Sequence, residues 1–240
     1  MEVHHHSHSS RKKWTHYFWE FLMLFLAVFC GFLAEYQLEH KIEKERGMKY
    51  IRSFYEDLKT DTANFTNVIR EYEIKEAAFK KTKECFAALP MQIKSVDPCL
   101  TDLVRNAERF PDLINTDRTL LQLKNAGGLR LLKKADADSI LVYDIMLRNF
   151  IRRETTGFQD TQNKMREIIY HLVNYENLQS EKDGAAAPYL YTENPELLNH
   201  FFVSLKYYSD YCLFNMQNII AIKQKGIDLI EYFKNKYHLK

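Results

Sequence analysis

Glycine and proline are scarce, seven and five among 240 residues. With so little turn punctuation, the stretches of Lys, Glu, Leu, Ile, Asn and aromatic residues between them favour long helices. An excess of one charge sign is also lacking: 34 Lys and Arg against 32 Asp and Glu leave a formal charge of +2. A nucleic-acid binder needs a concentrated basic face, so no DNA or RNA partner is expected. The common enzyme signatures are missing too. There is no G-x-x-x-x-G-K-[ST], G-x-G-x-x-G, H-E-x-x-H, C-x-x-C or G-x-S-x-G, which removes the phosphate-cradling, zinc-protease, redox and nucleophile-elbow chemistries. No enzyme, resident cofactor or metal is expected. No internal repeat is evident, and a chain of this length can bury a real core without disulfides or metals.

Lys and Arg are absent from Trp14 to His40, and within that stretch Tyr17 to Tyr36 reads Y-F-W-E-F-L-M-L-F-L-A-V-F-C-G-F-L-A-E-Y. At 1.5 Å per residue the run covers roughly 30 Å, the thickness of a bilayer hydrocarbon core. Trp14, Tyr17 and Trp19 at one end and Tyr36 at the other stand where interfacial aromatic belts form. A buried core helix is the alternative, but this hydrophobic density beside a polar flank favours a membrane span. The anchor is expected to stay uncleaved. No A-x-A site follows it, and bulky Phe29 precedes Cys30 where a lipoprotein signal needs a small residue.

Arg11, Lys12 and Lys13 precede the span; Lys41, Lys44 and Arg46 follow it among Glu35, Glu39, Glu43 and Glu45. Basic residues are equal in number on the two sides, but the N-terminal trio lies tight against the span with Glu2 as its single acid. The expected orientation is therefore N-terminus in the cytoplasm and the large domain outside it. The expected organisation is a short polar cytoplasmic leader at 1–13, a transmembrane anchor at 14–38 and a helical soluble domain at 39–240. The expected location is the bacterial inner membrane, single-pass, with the large domain periplasmic.

Beyond the anchor, Ile51, Phe54, Leu58, Phe65, Val68, Tyr72 and Phe79 recur at three- and four-residue steps, with Asp61 and Lys75 at the steps between. This spacing predicts one apolar seam on a long stalk helix over about 48–87. The seam is satisfied either by the domain's own later helices, the favoured outcome, or by a coiled-coil contact. Apart from Gly47, nothing between Gln37 and Met48 breaks a helix, so the anchor can run on into the stalk. Leu89-Pro90 through Asp97-Pro98 interrupts the chain before a short helix around Leu100 to Arg109 and a second break at Phe110-Pro111. Asn115 or Thr116 is expected to cap the next short helix, Thr119 to Asn125, which Gly127-Gly128 ends. A further long helix begins near Ala135. Its middle, Arg152 to Asn163, is polar and contains Gly157, which predicts a kink, a frayed turn or a local break. Glu181 to Pro188 reads as a surface loop, and the last long helix starts at Pro195, a good first-turn residue. The expected fold class is all-α: one N-terminal transmembrane helix, then an elongated bundle of three long and two short helices.

The N-terminal pattern of His4-His5-His6, Lys12-Lys13-Trp14, Glu20 to Val28 and Gly31-Phe32-Leu33-Ala34-Glu35 resembles an uncharacterised family of single-span, mostly helical membrane proteins common in Bacteroidota. The likeness continues through Tyr50-Ile51, Asp57-Leu58-Lys59-Thr60-Asp61 and Leu123 to Leu132. The family has no assigned activity, so the resemblance implies the architecture and no catalytic residue. It also implies a native His-rich start, the other reading being an added tag.

His4, His5, His6 and His8 offer weak transition-metal ligands, but a short tract without a second shell reads as a solvated leader. Cys30 lies in the span and Cys212 on an apolar helical stripe, where a free buried thiol is the ordinary state. Cys85 and Cys99 flank the proline-bounded loop, and outside the cytoplasm a disulfide between them is chemically allowed. Tyr207, Tyr208 and Tyr211 are expected to serve the core more than a ligand surface. Glu20 stands out, since an ionisable group inside a span is costly. Glu20, Ala27, Gly31 and Ala34 share one stripe of the helix, and small residues on one stripe let backbones approach closely. That face is a candidate for packing or protonation; the simpler reading has Glu20 snorkelling to water beside His16. The expected function is a membrane-anchored helical scaffold or interaction protein in the lipid bilayer, binding a membrane-protein partner or forming a homo-oligomer. The alternatives are an accessory subunit of an ion-driven complex using Glu20, and a helical bundle sensing a small-molecule ligand.

Overall fold

The structure, a computed structural model, describes residues 14–88, 113–172 and 194–240, the side chains of 85–88 excepted. Every regular element is helical, and no strand occurs among the described residues. Helix α1 runs Trp14–Ala88, α2 Arg118–Asn125, α3 Lys134–Arg153, α4 Gln159–Leu172 and α5 Pro195–Tyr237. A 3-10 turn, Gly128–Leu131, follows α2, and a π-helical turn, Glu154–Phe158, joins α3 to α4. There are thus three long helical runs and one short helix among the described residues. The second expected short helix around Leu100 to Arg109, the loop Glu181 to Pro188, the His-rich leader and Cys99 lie outside them.

The chain forms two compact units, Met1–Lys49 and Tyr50–Lys240. In the first, α1 is long and apolar enough to cross a membrane, and none of its apolar window is buried by protein. In the second, every apolar member of the predicted seam, from Ile51 to Phe79, is buried, and so are Asp61 and Lys75 between them. The seam is filled by the chain's own later helices. Phe54 meets Tyr143 of α3 edge-on at 6.0 Å and Phe233 of α5 at 6.2 Å. Further along α1, Tyr72 meets Phe158 at 6.4 Å and Phe79 meets Tyr208 at 5.2 Å. Gly226 of α5 is buried against α1: a Cβ there would stand 2.8 Å from Thr62 Cγ2. A mid-helix glycine costs about 1 kcal/mol relative to alanine, and an alanine here would have to displace the Thr62 methyl.

The expected irregularity at Arg152 to Asn163 is a π turn, and the chain stays helical through it. The buried face of α3 uses Ile140, Tyr143, Leu147 and Phe150, and resumes at Phe158, Gln162 and Met165. Phe150 and Phe158 are eight residues apart, one more than the seven that two α-helical turns bring back to the same face. A π turn is one residue wider and absorbs the excess. Asn115 and Thr116 are not the cap of α2; Asp117 occupies that position. Thr116 is drawn away because the Asp61 carboxylate accepts its backbone N–H at 2.7 Å and also its hydroxyl. Gly127, at φ 66°, takes the left-handed conformation after α2 that favours glycine. Asn194 caps α5, its side chain accepting from the Glu196 N–H at 2.9 Å, with Pro195 in the first turn.

Candidate functional site

Two places carry features that folding alone does not require. The first is the exposed helix of the N-terminal unit. Glu20, Ala27, Gly31 and Ala34 are all exposed, and a Cβ built on Gly31 meets nothing within 4 Å. His16 Nε2 lies 3.2 Å from Glu20 Oε1, one turn away, with both side chains about half exposed. The structure thus joins Glu20 to the histidine that sequence placed beside it. It also displays an aromatic stripe not expected from the sequence: Phe18, Phe21, Phe25, Phe29 and Phe32, extended by Trp14 and Tyr36, follow three- and four-residue steps. Trp14 and Phe18 stack at 6.4 Å, Phe21 and Phe25 at 6.2 Å, and Phe25 and Phe29 at 5.9 Å. At about 100° per residue this stripe lies across the helix from Glu20, Ala27 and Gly31. The helix therefore has one broad aromatic face and one narrow face of small residues with a carboxylate at its end.

The second place is a polar node inside the bundle at the π turn. Glu154, partly buried, accepts hydrogen bonds from the Tyr72 hydroxyl of α1 and the Asn215 side-chain N–H of α5. Lys75, fully buried, lies 4.7 Å from the Phe158 ring centre and donates to the Tyr208 hydroxyl at 3.2 Å. Cys212 is buried beside them. Burial pushes the Glu154 carboxyl above the ordinary glutamate value, against the pull of its donors and of the Lys75 charge. Burial likewise pushes the Cys212 thiol up to about 12, so it is an inert core thiol. The buried Asn215 Oδ1 has no hydrogen-bond partner. Sequence spacing had marked Lys75 and Asp61 as interruptions of the seam; Glu154 and Asn215 bore no mark, because nothing local links residues so far apart.

A second buried carboxylate group lies nearer the N-terminal end of the domain. Asp61 is held by Thr116 and, at 3.1 Å, by the Tyr143 hydroxyl. Burial and the neighbouring Asp57 raise its pKa, while these donors lower it less. Among the described residues no cluster of three or more metal-ligating side chains occurs. A groove of about 570 Å³ between α1 and α5 is lined by Phe79, Phe202 and Leu205 and by charges of both signs, Lys80, Lys83 and Lys206 with Glu76 and Asp210. Its volume falls within the range of small-molecule sites. Of the tyrosine trio, Tyr208 is core, Tyr207 is exposed and Tyr211 lies between. Cys85, whose side chain is not described, and Cys99 leave the proposed disulfide outside the described residues; Cys30 is exposed and free.

Tyr211 reports on the π turn directly. Its hydroxyl donates to the Arg153 carbonyl at 2.8 Å, and a Cβ on Gly157 would stand 2.5 Å from the Tyr211 hydroxyl oxygen. Gly157→Ala gains about 1 kcal/mol of helix propensity but must displace a bonded hydroxyl, a loss of about 1 kcal/mol before any strain is added. Expected is net destabilisation in the wild-type background and stabilisation once Tyr211→Phe has removed the oxygen. Thermal unfolding of the two singles and the double decides it; an equal effect of Gly157→Ala in both backgrounds refutes the contact.

No protein family, curated protein or solved structure matches the chain.

Proposed function

We propose that the protein is a membrane-anchored helical scaffold that holds a membrane-protein partner, or further copies of itself, at the outer face of the bacterial inner membrane. The observation that carries this reading is the two-faced helix of the N-terminal unit. Lipid gives apolar helices no hydrophobic reward for joining, so association relies on close backbone approach and polar contacts. The Ala27, Gly31 and Ala34 face, with Glu20 at its end, supplies both, and the aromatic face suits lipid. The seam of the bundle is consumed internally, which leaves the span as the interface. The likeness to single-span helical proteins of Bacteroidota supports the same architecture, and the tight basic trio before the span supports an inward N-terminus.

Because Gly31 has open space around it, a larger side chain there does not disturb the chain's own packing. Crosslinking in native membranes is therefore expected to show the oligomer or partner band lost in Gly31→Leu and retained in Phe32→Leu, about 100° away. The same pattern in both variants and the wild type sinks the interface. A reporter active only outside the cytoplasm is expected to work when fused after Lys240, and the converse result reverses the orientation.

A second reading, in which Glu20 exchanges protons within an ion-driven complex, is favoured by the His16–Glu20 pair alone. Glu20→Gln separates the two: it removes the titratable proton and impairs an ion-driven assembly, whereas the amide keeps a polar contact at the end of the small-residue face and leaves a passive scaffold mostly intact.

A further inference from the structure

The polar node at the π turn contains one carboxylate and, on the amide that donates to it, one unmet acceptor. Asn215 is fully buried, its N–H donating to Glu154 Oε1 while its Oδ1 has no donor. A buried unsatisfied acceptor costs about 1–3 kcal/mol. A charged glutamate has only acceptors to offer, whereas a protonated one carries an O–H. Glu154 opens the one π turn among the described residues, is partly exposed, and ties that turn to α1 through Tyr72 and to α5 through Asn215. We propose that Glu154 is a proton-operated latch: protonation gives Asn215 Oδ1 its missing donor and closes the π turn onto α1 and α5, and deprotonation loosens it.

The groups facing the carboxylate from each packed element set the balance. From α1 come Tyr72 and Lys75; from the turn's own start comes Arg153; from α5 come Tyr208, Tyr211, Cys212 and Asn215, with Arg166 of α4 facing Tyr208. Lys75 and Arg153 favour the charged form. Burial opposes it and prevails, so the closed turn binds its proton more tightly than the opened, hydrated turn does. The sign follows by linkage. The closed turn is most favoured below the ordinary glutamate pKa of about 4.3. That advantage is lost as pH rises from there through the raised value of the closed state.

The test is hydrogen exchange of the full chain in detergent micelles, followed by mass spectrometry of peptides spanning 150–160 and corrected for intrinsic exchange rates. In wild type, opening of the turn is expected to rise with pH between about 4.3 and the raised pKa, by at most tenfold per pH unit. In Glu154→Gln, whose amide N–H supplies the donor at every pH, the same peptides are expected to stay flat. A flat wild-type profile, or equal slopes in both proteins, overturns the proposal. Carboxyl NMR of Glu154 in unaltered protein stands independently of how the variant folds: titration above about 4.3 supports the latch, and titration at or below it overturns the latch.

Discussion

Replacing Phe54 by alanine is expected to destabilise the bundle by about 3–5 kcal/mol, the cost of emptying an aromatic site in a close-packed core. Phe54 is 1% exposed, and its ring is held edge-on by Tyr143 of α3 and Phe233 of α5, so one side chain joins three helices. The cavity cannot collapse easily, because both of these walls are anchored elsewhere. Tyr143 is fixed by its hydroxyl on Asp61, and Phe233 lies between Tyr232 and Tyr237, at 5.3 and 6.2 Å. For a domain of this size each kcal/mol shifts the midpoint by about 2–4 °C. Thermal unfolding should therefore move down by on the order of 10 °C, whereas Val142→Ala on the exposed side of α3 should move it little. Equal shifts in the two variants would mean that the seam is not the core.

The seam was legible because its signal is local. Three- and four-residue steps from Ile51 to Phe79 mark one face of one helix, and no distant residue is needed to see them. The same holds for Pro195 and for the polar middle at Arg152 to Asn163. What filled the two polar steps of the seam was not legible. Asp61 is satisfied by Thr116 and Tyr143, 55 and 82 residues away, and Lys75 by Tyr208, 133 residues away. Such pairings depend on tertiary docking, which leaves no periodic trace. Thr116 shows the conflict directly: by local rules it is a helix cap, yet a buried carboxylate on another helix holds it instead, and Asp117, which makes no side-chain capping bond, stands at the cap position. The π turn is intermediate. Its flexible composition was visible, but its hand in keeping Phe150 and Phe158 on one face appears only when the eight-residue step is measured against a core. In the N-terminal part of α1, the phenylalanine stripe obeys the same local rule as the seam and is open to the same reading.

The second large effect is expected at Asp136, where the C-terminal end of α5 is locked to the first turn of α3. Asp136 is fully buried and accepts from the Tyr232 hydroxyl at 2.7 Å, from Lys236 on the same oxygen and from the Tyr237 hydroxyl on the other. A carboxylate in a helix's first turn is favoured by the local dipole, and Lys236 balances its charge while lying over the Tyr232 ring at 4.8 Å. Asp136→Ala leaves a cation and two hydroxyls without their acceptor. Breaking such a pair costs about 3–5 kcal/mol when it is fully buried; Lys236 keeps 24% of its side chain exposed, so about 3 kcal/mol is expected here. The pH dependence runs opposite to that of Glu154. Burial raises the Asp136 carboxyl, but the hydrogen bonds from Lys236, Tyr237 and Tyr232 outweigh it and hold the pKa below the ordinary aspartate value. Its stabilisation is therefore complete above the unfolded pKa of about 3.9 and is lost as pH falls through the folded one. Lys236 mirrors this: burial lowers its pKa, but its hydrogen bonds with Asp136 and Tyr232 and the Asp136 charge outweigh that and raise it, so its share is complete below about 10.4 and is lost as pH rises through the folded value. Denaturant unfolding of wild type, Asp136→Asn and Asp136→Ala from pH 7 to pH 3 reads both claims. The wild type should lose more stability on that acid limb than Asp136→Asn, which has no carboxylate to protonate. An acid limb of equal depth in the two proteins, or a cost below about 1 kcal/mol for Asp136→Ala at pH 7, would show that the lock contributes no more than a surface ion pair.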